Sequence, residues 1–183
     1  MLPAEAAGSA PGRGRLAGRR VLVVGAGTRP SPEPDPPIGN GRAISVLAAR
    51  EGAAVACADR DAGAAEATAA LVRNEGQIAA VVLADVASPE ACASVVVESA
   101  AALGGLDGLV LNVGIGLGRG MAGTSADQWD QAFAVNTRRT SWRPRPRCRC
   151  WSPVRRSCSS ARRQASYVNA HPLVLDGGAA SFG

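Results

Sequence analysis

Four short apolar runs alternate with four helix-type stretches along most of the chain, and that alternation constrains the fold more than any other feature. Arg20–Gly25 (RVLVVG), Ala53–Ala58, Ile78–Leu83 and Leu106–Leu111 are continuous in hydrophobicity, the pattern of strands buried on both faces. Gly39–Glu51 carries Ala43, Ile44, Leu47 and Ala48 on one helical face. Asp61 is an N-cap for an alanine-rich helix that Gly76 closes. Ser88-Pro89 joins an N-cap to a first-turn proline and opens a helix running to Gly104-Gly105. Ser125-Ala-Asp-Gln128 is a capping box, and the helix behind it carries Trp129 and Phe133 and reaches Asn136. Strands and helices alternating through short links predict an α/β fold, a parallel sheet joined by right-handed crossovers.

Composition agrees. Of the 183 residues, 46% are hydrophobic, mostly Ala, Val and Leu, with three Trp, two Phe and one Tyr. Small aliphatics suit close packing of helices on a sheet. No apolar run approaches the roughly 18 residues needed to cross a bilayer, and Met1–Gly18 lacks the apolar core of a signal peptide. A soluble, cytoplasmic protein with no membrane partner is expected. Five cysteines, an odd number, argue against a disulfide framework. Cys57 and Cys92 fall on a strand and a helix, as small core residues. Cys148, Cys150, Cys158 and His171 do not have a standard zinc-ligand spacing, so no metal site is expected.

Charge is distributed unevenly. All 20 basic residues are arginines, and ten of them lie between Arg138 and Arg163, a span without an acidic residue. The preceding 137 residues hold ten arginines and fourteen acids, so the basic average says nothing of a basic face there. Four regions follow: a disordered tail over 1–18, a domain over 19–137, an irregular arginine-rich segment over 138–164, and a closing strand with the C-terminal tail over 165–183. Within the domain, 26–38 is a proline-rich insert.

The chemistry is concentrated in the glycines. Gly25-Ala-Gly27 ends the first strand, and Gly39-Asn40-Gly41 opens the next helix. A pyrophosphate needs backbone N–H groups, a positive helix end and no side chains in the way. Asp59 ends the second strand, 18 residues beyond Gly41, where a carboxylate can accept from both ribose hydroxyls. Together these point to a dinucleotide site on a Rossmann-like, doubly wound sheet, incomplete after its fourth strand and helix.

These residues resemble the short-chain dehydrogenase/reductase family. Its T-G-x-x-x-G-I-G-x-A motif is matched by Val24-Gly25 and by Gly39-Asn40-Gly41-Arg42-Ala43, and its acidic residue after the second strand by Asp59. Its Asp-Val beside the adenine is similar to Asp85-Val86, and its N-N-A-G to Leu111-Asn112-Val113-Gly114. Its helix asparagine, which positions a proton-relay water, corresponds to Asn136. The stretch Ala165–Gly178 resembles its closing strand and D-G-G. The resemblance implies an NAD(P)-dependent oxidoreductase acting on an alcohol/carbonyl pair of a small-molecule substrate. It also implies a homo-oligomer, assembled through helices that include Ser125–Asn136. Asp59 favours NAD by repelling a 2′-phosphate, while Arg42 and Arg60 keep NADP open.

Two departures from the family stand out. Thirteen residues, Ala26–Ile38, occupy the place of three; they form either an outward surface excursion or a lid over the adenosine half. The second departure touches activity. The family needs a Tyr whose pKa is lowered by a Lys and a Ser that polarises the carbonyl. Only 40 residues separate Asn136 from Asp176, about a third of what that machinery occupies in the family. The chain has no lysine, and its single tyrosine, Tyr167, sits in the closing-strand motif. Cofactor binding without the catalytic Tyr-Lys is therefore expected. The arginine-rich stretch reads as coding sequence shifted out of frame after about Arg138. The alternatives are a non-catalytic nucleotide-binding protein, or nucleic-acid binding by those arginines with Trp142 and Trp151.

Overall fold

The first four predicted strands form, and all four join one parallel sheet. The computed structural model describes residues 10–32, 38–118, 120 and 122–138, all within the first of two units, Met1–Ser152. The order is β1 (Arg20–Val24), α1 (Asn40–Arg50), β2 (Ala54–Asp59), α2 (Ala62–Asn74), β3 (Ala79–Leu83), α3 (Pro89–Leu103), β4 (Gly108–Leu111) and α4 (Ala126–Arg138). Across the sheet the order is β3-β2-β1-β4. In register, Val23 lies beside Cys57 and Val110, and Cys57 beside Val81.

Alternate strand residues feed two separate cores, because side chains along a strand point to opposite faces. On one face Val21, Val23, Val55 and Cys57 meet Ala48 and Ala49 of α1 and Ala69 and Val72 of α2. On the other, Leu22, Val24, Ala56 and Ala58 meet Cys92, Val95 and Ala100 of α3. Covering both faces explains why the strands had to be apolar throughout. Burial also pushes the Cys57 thiol up to about 11, which leaves it a neutral core residue.

The helix ends follow their sequence signals. The Asp61 carboxylate accepts from Ala64 N–H (3.0 Å) and the Ser88 hydroxyl from Ala91 N–H (3.3 Å). Ser125 and Gln128 cap reciprocally, at 3.2 and 3.0 Å. Gly104 closes α3 in the left-handed conformation, φ 71°. Three strands begin later than expected, β2 at Ala54, β3 at Ala79 and β4 at Gly108. Ile78 is solvent-exposed ahead of β3, and the buried Leu106 forms an isolated bridge ahead of β4, followed by the anchored Asp107. There Asp107 receives Arg20 N–H and both Nε (2.8 Å) and Nη2 (3.1 Å) of its guanidinium. Arg20 Nη1 also donates to the Gly104 carbonyl, at 2.6 Å.

The expectation of a disordered tail over 1–18 fails for residues 10–18. Glu51, just past α1, accepts from the backbone N–H of Arg13 (3.2 Å) and Arg15 (2.9 Å), and from Arg15 Nη2 (2.8 Å). Leu16 donates its N–H to the Glu51 carbonyl and packs against the α1/α2 core. The Arg15 side chain, followed by its backbone N–H, holds the Glu51 carboxyl down to about 2. A single apolar anchor, Leu16, and one carboxylate, Glu51, hold this segment. The closing strand expected at Leu173–Leu175, Tyr167 and residues 139–164 lie outside the described residues.

Candidate cofactor site

In the order β3-β2-β1-β4 the chain turns back beside β1, so the loops leaving β1 and β4 diverge over the carboxyl ends of those strands. Open parallel sheets bind ligands at such a switch point. Gly25, Gly27, Gly39, Gly41, Asp59 and Asn112 are brought together here. Gly25 turns the chain out of β1 with φ 79°, and its N–H donates to the Ala58 carbonyl (2.8 Å). Asn112, at the end of β4, sends its Nδ2 across to the Gly25 carbonyl (2.9 Å), tying the two loops together.

The glycines serve different ends. A Cβ on Gly41 would lie 1.8 Å from the Gly25 carbonyl oxygen, so this glycine lets α1 press against the β1 loop. A Cβ on Gly27 would lie 2.7 Å from the Ala64 Cβ and 2.9 Å from Asp59 Oδ2. Gly39 has an extended backbone at the N-cap of α1, and among the described residues no side chain caps that helix. The first turn of α1 has no acidic residue either. The other three helices are side-chain capped. Uncapped helix N–H groups and the positive end of the helix dipole suit an anion.

Asp59 is half-buried at the end of β2. Its Oδ2 accepts from Gly27 N–H (2.8 Å) and its Oδ1 from Asp61 N–H (3.2 Å). A carboxylate offers about four acceptor positions, so each oxygen keeps capacity for one hydroxyl. Asp85 follows β3; the Ala84 N–H ahead of it donates to the Asp59 carbonyl (2.9 Å). The Asp85 carboxylate accepts from Ala87 N–H (2.9 Å), and Val86 is buried, its carbonyl facing the Cys92 thiol (3.4 Å). Asn40 and Gly114 are exposed at the first residue of α1 and after β4. The residues present thus fit a dinucleotide: a glycine-lined turn, an uncapped helix end and a carboxylate with spare acceptors.

Asn136 stands apart from this group. Its Oδ1 accepts from Ile115 N–H and its Nδ2 donates to the Ile115 carbonyl, both at 2.9 Å. The amide therefore fastens α4 to the loop after β4. The insert is also narrower at its root than its sequence suggested. Ala26 is fully buried, and Gly39 N–H donates to Thr28 Oγ1 (3.2 Å), which closes a neck. Ala26–Thr28 thus lie at the candidate site.

Two site residues escaped the sequence. Thr28 gave no signal distinct from its proline-rich neighbours. Thr68 did: it is a hydroxyl on the same helical face as Ala65, Ala69 and Val72, and it is fully buried. Arg42, weighed as a 2′-phosphate partner, directs its Nε to Thr68 Oγ1 (3.1 Å).

Comparison with known proteins agrees with this geometry. The sequence model of the short chain dehydrogenase family matches residues 38–142. The 2-(S)-hydroxypropyl-CoM dehydrogenase 3 of Xanthobacter autotrophicus is 34% identical over 122 residues, covering 67% of this chain and 44% of the relative. A short chain dehydrogenase from Mycobacterium smegmatis superposes with a TM-score of 0.62 at 27% identity, over 72% of this chain and 53% of that one. Carveol dehydrogenase from Mycobacterium avium, solved in complex with NAD, gives a TM-score of 0.59 at 26% identity, over 69% and 47%. The chain spans about half the length of these relatives.

Proposed function

Because the chain belongs to the short-chain dehydrogenase/reductase family, we propose that it binds a nicotinamide adenine dinucleotide at the switch point, NAD in preference to NADP. The observation that carries the reading is the uncapped N-terminus of α1, set behind three glycines and beside a carboxylate with spare acceptors. In this reading the N–H groups of the first α1 turn and the Gly25–Gly27 turn hold the pyrophosphate. Asp59 accepts from the adenosine ribose hydroxyls, and its charge repels a 2′-phosphate. Val86, after Asp85, supplies an apolar wall for the adenine, and Asn112 and Gly114 border the nicotinamide side.

The bound nicotinamide would supply the hydride acceptor or donor for an alcohol/carbonyl pair. The chain's own contribution to proton movement is the weak point. These 183 residues contain no lysine and so carry no Tyr-Lys pair, and Asn136 is the one member of the family's catalytic set with a matching position in them. The reading is therefore a cofactor-binding chain of the oxidoreductase family with impaired turnover, its substrate a small molecule.

Fluorescence titration of the full chain with NADH and NADPH tests this. NADH should bind more tightly than NADPH, and Asp59→Asn should narrow the difference. Addition of alcohols with NAD should yield no NADH above background. Binding of NADPH at least as tight as that of NADH would contradict the cofactor preference, and steady alcohol-dependent NADH production would contradict the impairment.

A further inference from the structure

One peptide group in the site is gripped at both ends by side chains from different elements. The Ala26–Gly27 peptide offers its carbonyl to the Thr68 hydroxyl of α2 (2.9 Å) and its N–H to Asp59 Oδ2 (2.8 Å). Behind the hydroxyl, Arg42 Nε of α1 donates to Thr68 Oγ1 (3.1 Å). Every donor points the same way, from guanidinium to hydroxyl, hydroxyl to carbonyl, and peptide N–H to carboxylate. Hydrogen bonds chained in one sense polarise each other, and this chain begins at a cation and ends at an anion.

A helical threonine ordinarily bonds back to the carbonyl four residues earlier, and Thr68 also lies 3.1 Å from the Ala64 carbonyl. The Ala26 bond is the shorter one, and the need for it is greater. Ala26 is fully buried outside any helix ladder, where an unpaired carbonyl is costly, whereas the Ala64 carbonyl faces the N–H ladder of α2. A threonine kept only for its shape would gain nothing from a second side chain donating to its hydroxyl.

We propose that Thr68, backed by Arg42, is a positioning residue that aims the Asp59 carboxylate and thereby sets the preference for a free ribose diol over a 2′-phosphorylated one. The inference rests on the dinucleotide reading of the site. Gly27 N–H fixes one carboxylate oxygen and Asp61 N–H the other, so the plane of the carboxylate is set by both. Releasing the Ala26–Gly27 peptide frees one side, and a bidentate match to two hydroxyls depends on that plane. The same chain commits Arg42 Nε to α2, which turns this arginine from a candidate phosphate partner into a support for the diol site.

The test compares the full chain with Thr68→Val, Thr68→Ser, Arg42→Leu and Asp59→Asn. NADH and NADPH are titrated by fluorescence, and the Gly27 amide is followed by 1H-15N NMR. Thr68→Val should weaken NADH about tenfold while changing NADPH by less than about twofold. It should also move the Gly27 amide resonance, and Thr68→Ser should restore both. Arg42 is only half-buried, so Arg42→Leu should fold and shift both readouts in the same direction by less. An unchanged Gly27 amide with an unchanged NADH/NADPH ratio in Thr68→Val overturns the proposal. Equal losses for both nucleotides overturn it too, since a merely structural residue behaves so. If the unaltered chain binds neither nucleotide yet Thr68→Val and Asp59→Asn move the Gly27 amide, the dinucleotide reading falls and the positioning of Asp59 stands. If the amide does not move either, both fall.

Discussion

Gly41 shows how little room the site leaves for a side chain. Its Cβ would sit 1.8 Å from the Gly25 carbonyl oxygen, backbone that cannot swing aside. Gly41→Ala should therefore push α1 off the β1 loop, costing about 1–3 kcal/mol of stability in urea denaturation and weakening NADH. An alanine that left both untouched would mean the helix is not pressed against the loop. Ser99 argues in the other direction. It is fully buried on α3, its hydroxyl has no hydrogen-bond partner among the described residues, and α3 packs on an apolar cluster. Ser99→Ala should raise stability by about 1 kcal/mol, since it removes an uncompensated buried polar group; a lower urea midpoint would refute this. Gly41 was visible as a motif position, whereas Ser99 and Thr68 differ only in their surroundings. One hydroxyl is bonded into the site and the other is not, and spacing alone does not distinguish them.

At the scale of elements, the capping residues were the most legible part of the sequence. Asp61, Ser88 and Ser125 each start a helix where their side chains predicted, because a cap depends on neighbours two or three residues away. Asp61→Ala should cost about 1 kcal/mol by thermal denaturation, and it leaves the Asp61 N–H bond to Asp59 in place. The N-terminal segment was illegible for the opposite reason. Its order comes from Glu51, 36 residues away from Arg15, and no local pattern announces that partnership. The carboxyl of Glu51 is held well below its ordinary value of 4.5, at about 2. Its contribution to stability is thus complete above about pH 4.5 and is lost as the pH falls towards 2. Asp107, lowered chiefly by the Arg20 guanidinium, acts in the same sense. Melting temperatures measured between pH 7 and pH 2 should fall over the acid range, and Glu51→Gln should lower the pH 7 value and flatten the acid slope. A slope that survives Glu51→Gln intact would place the acid sensitivity elsewhere.

For the molecule as a whole, alternation of apolar runs and helices was enough to specify a doubly wound parallel sheet, because strands covered on both faces carry no competing amphipathic signal. The candidate site was legible as far as its glycines and Asp59, which lie at strand ends and at the start of α1, where such a fold can place a ligand. The supports behind them, Thr68 and Thr28, emerge only when α2 and the neck of the insert are packed against the β1 loop. In the function proposed above, the switch point of this chain holds a dinucleotide through Asp59. The direct measurement is calorimetric titration of NADH into the full chain and into Asp59→Asn. Saturable one-to-one binding should weaken about tenfold or more in Asp59→Asn, the loss expected for hydrogen bonds to a charged group. Equal NADH affinity in the two proteins, or no binding by the unaltered chain, would contradict it.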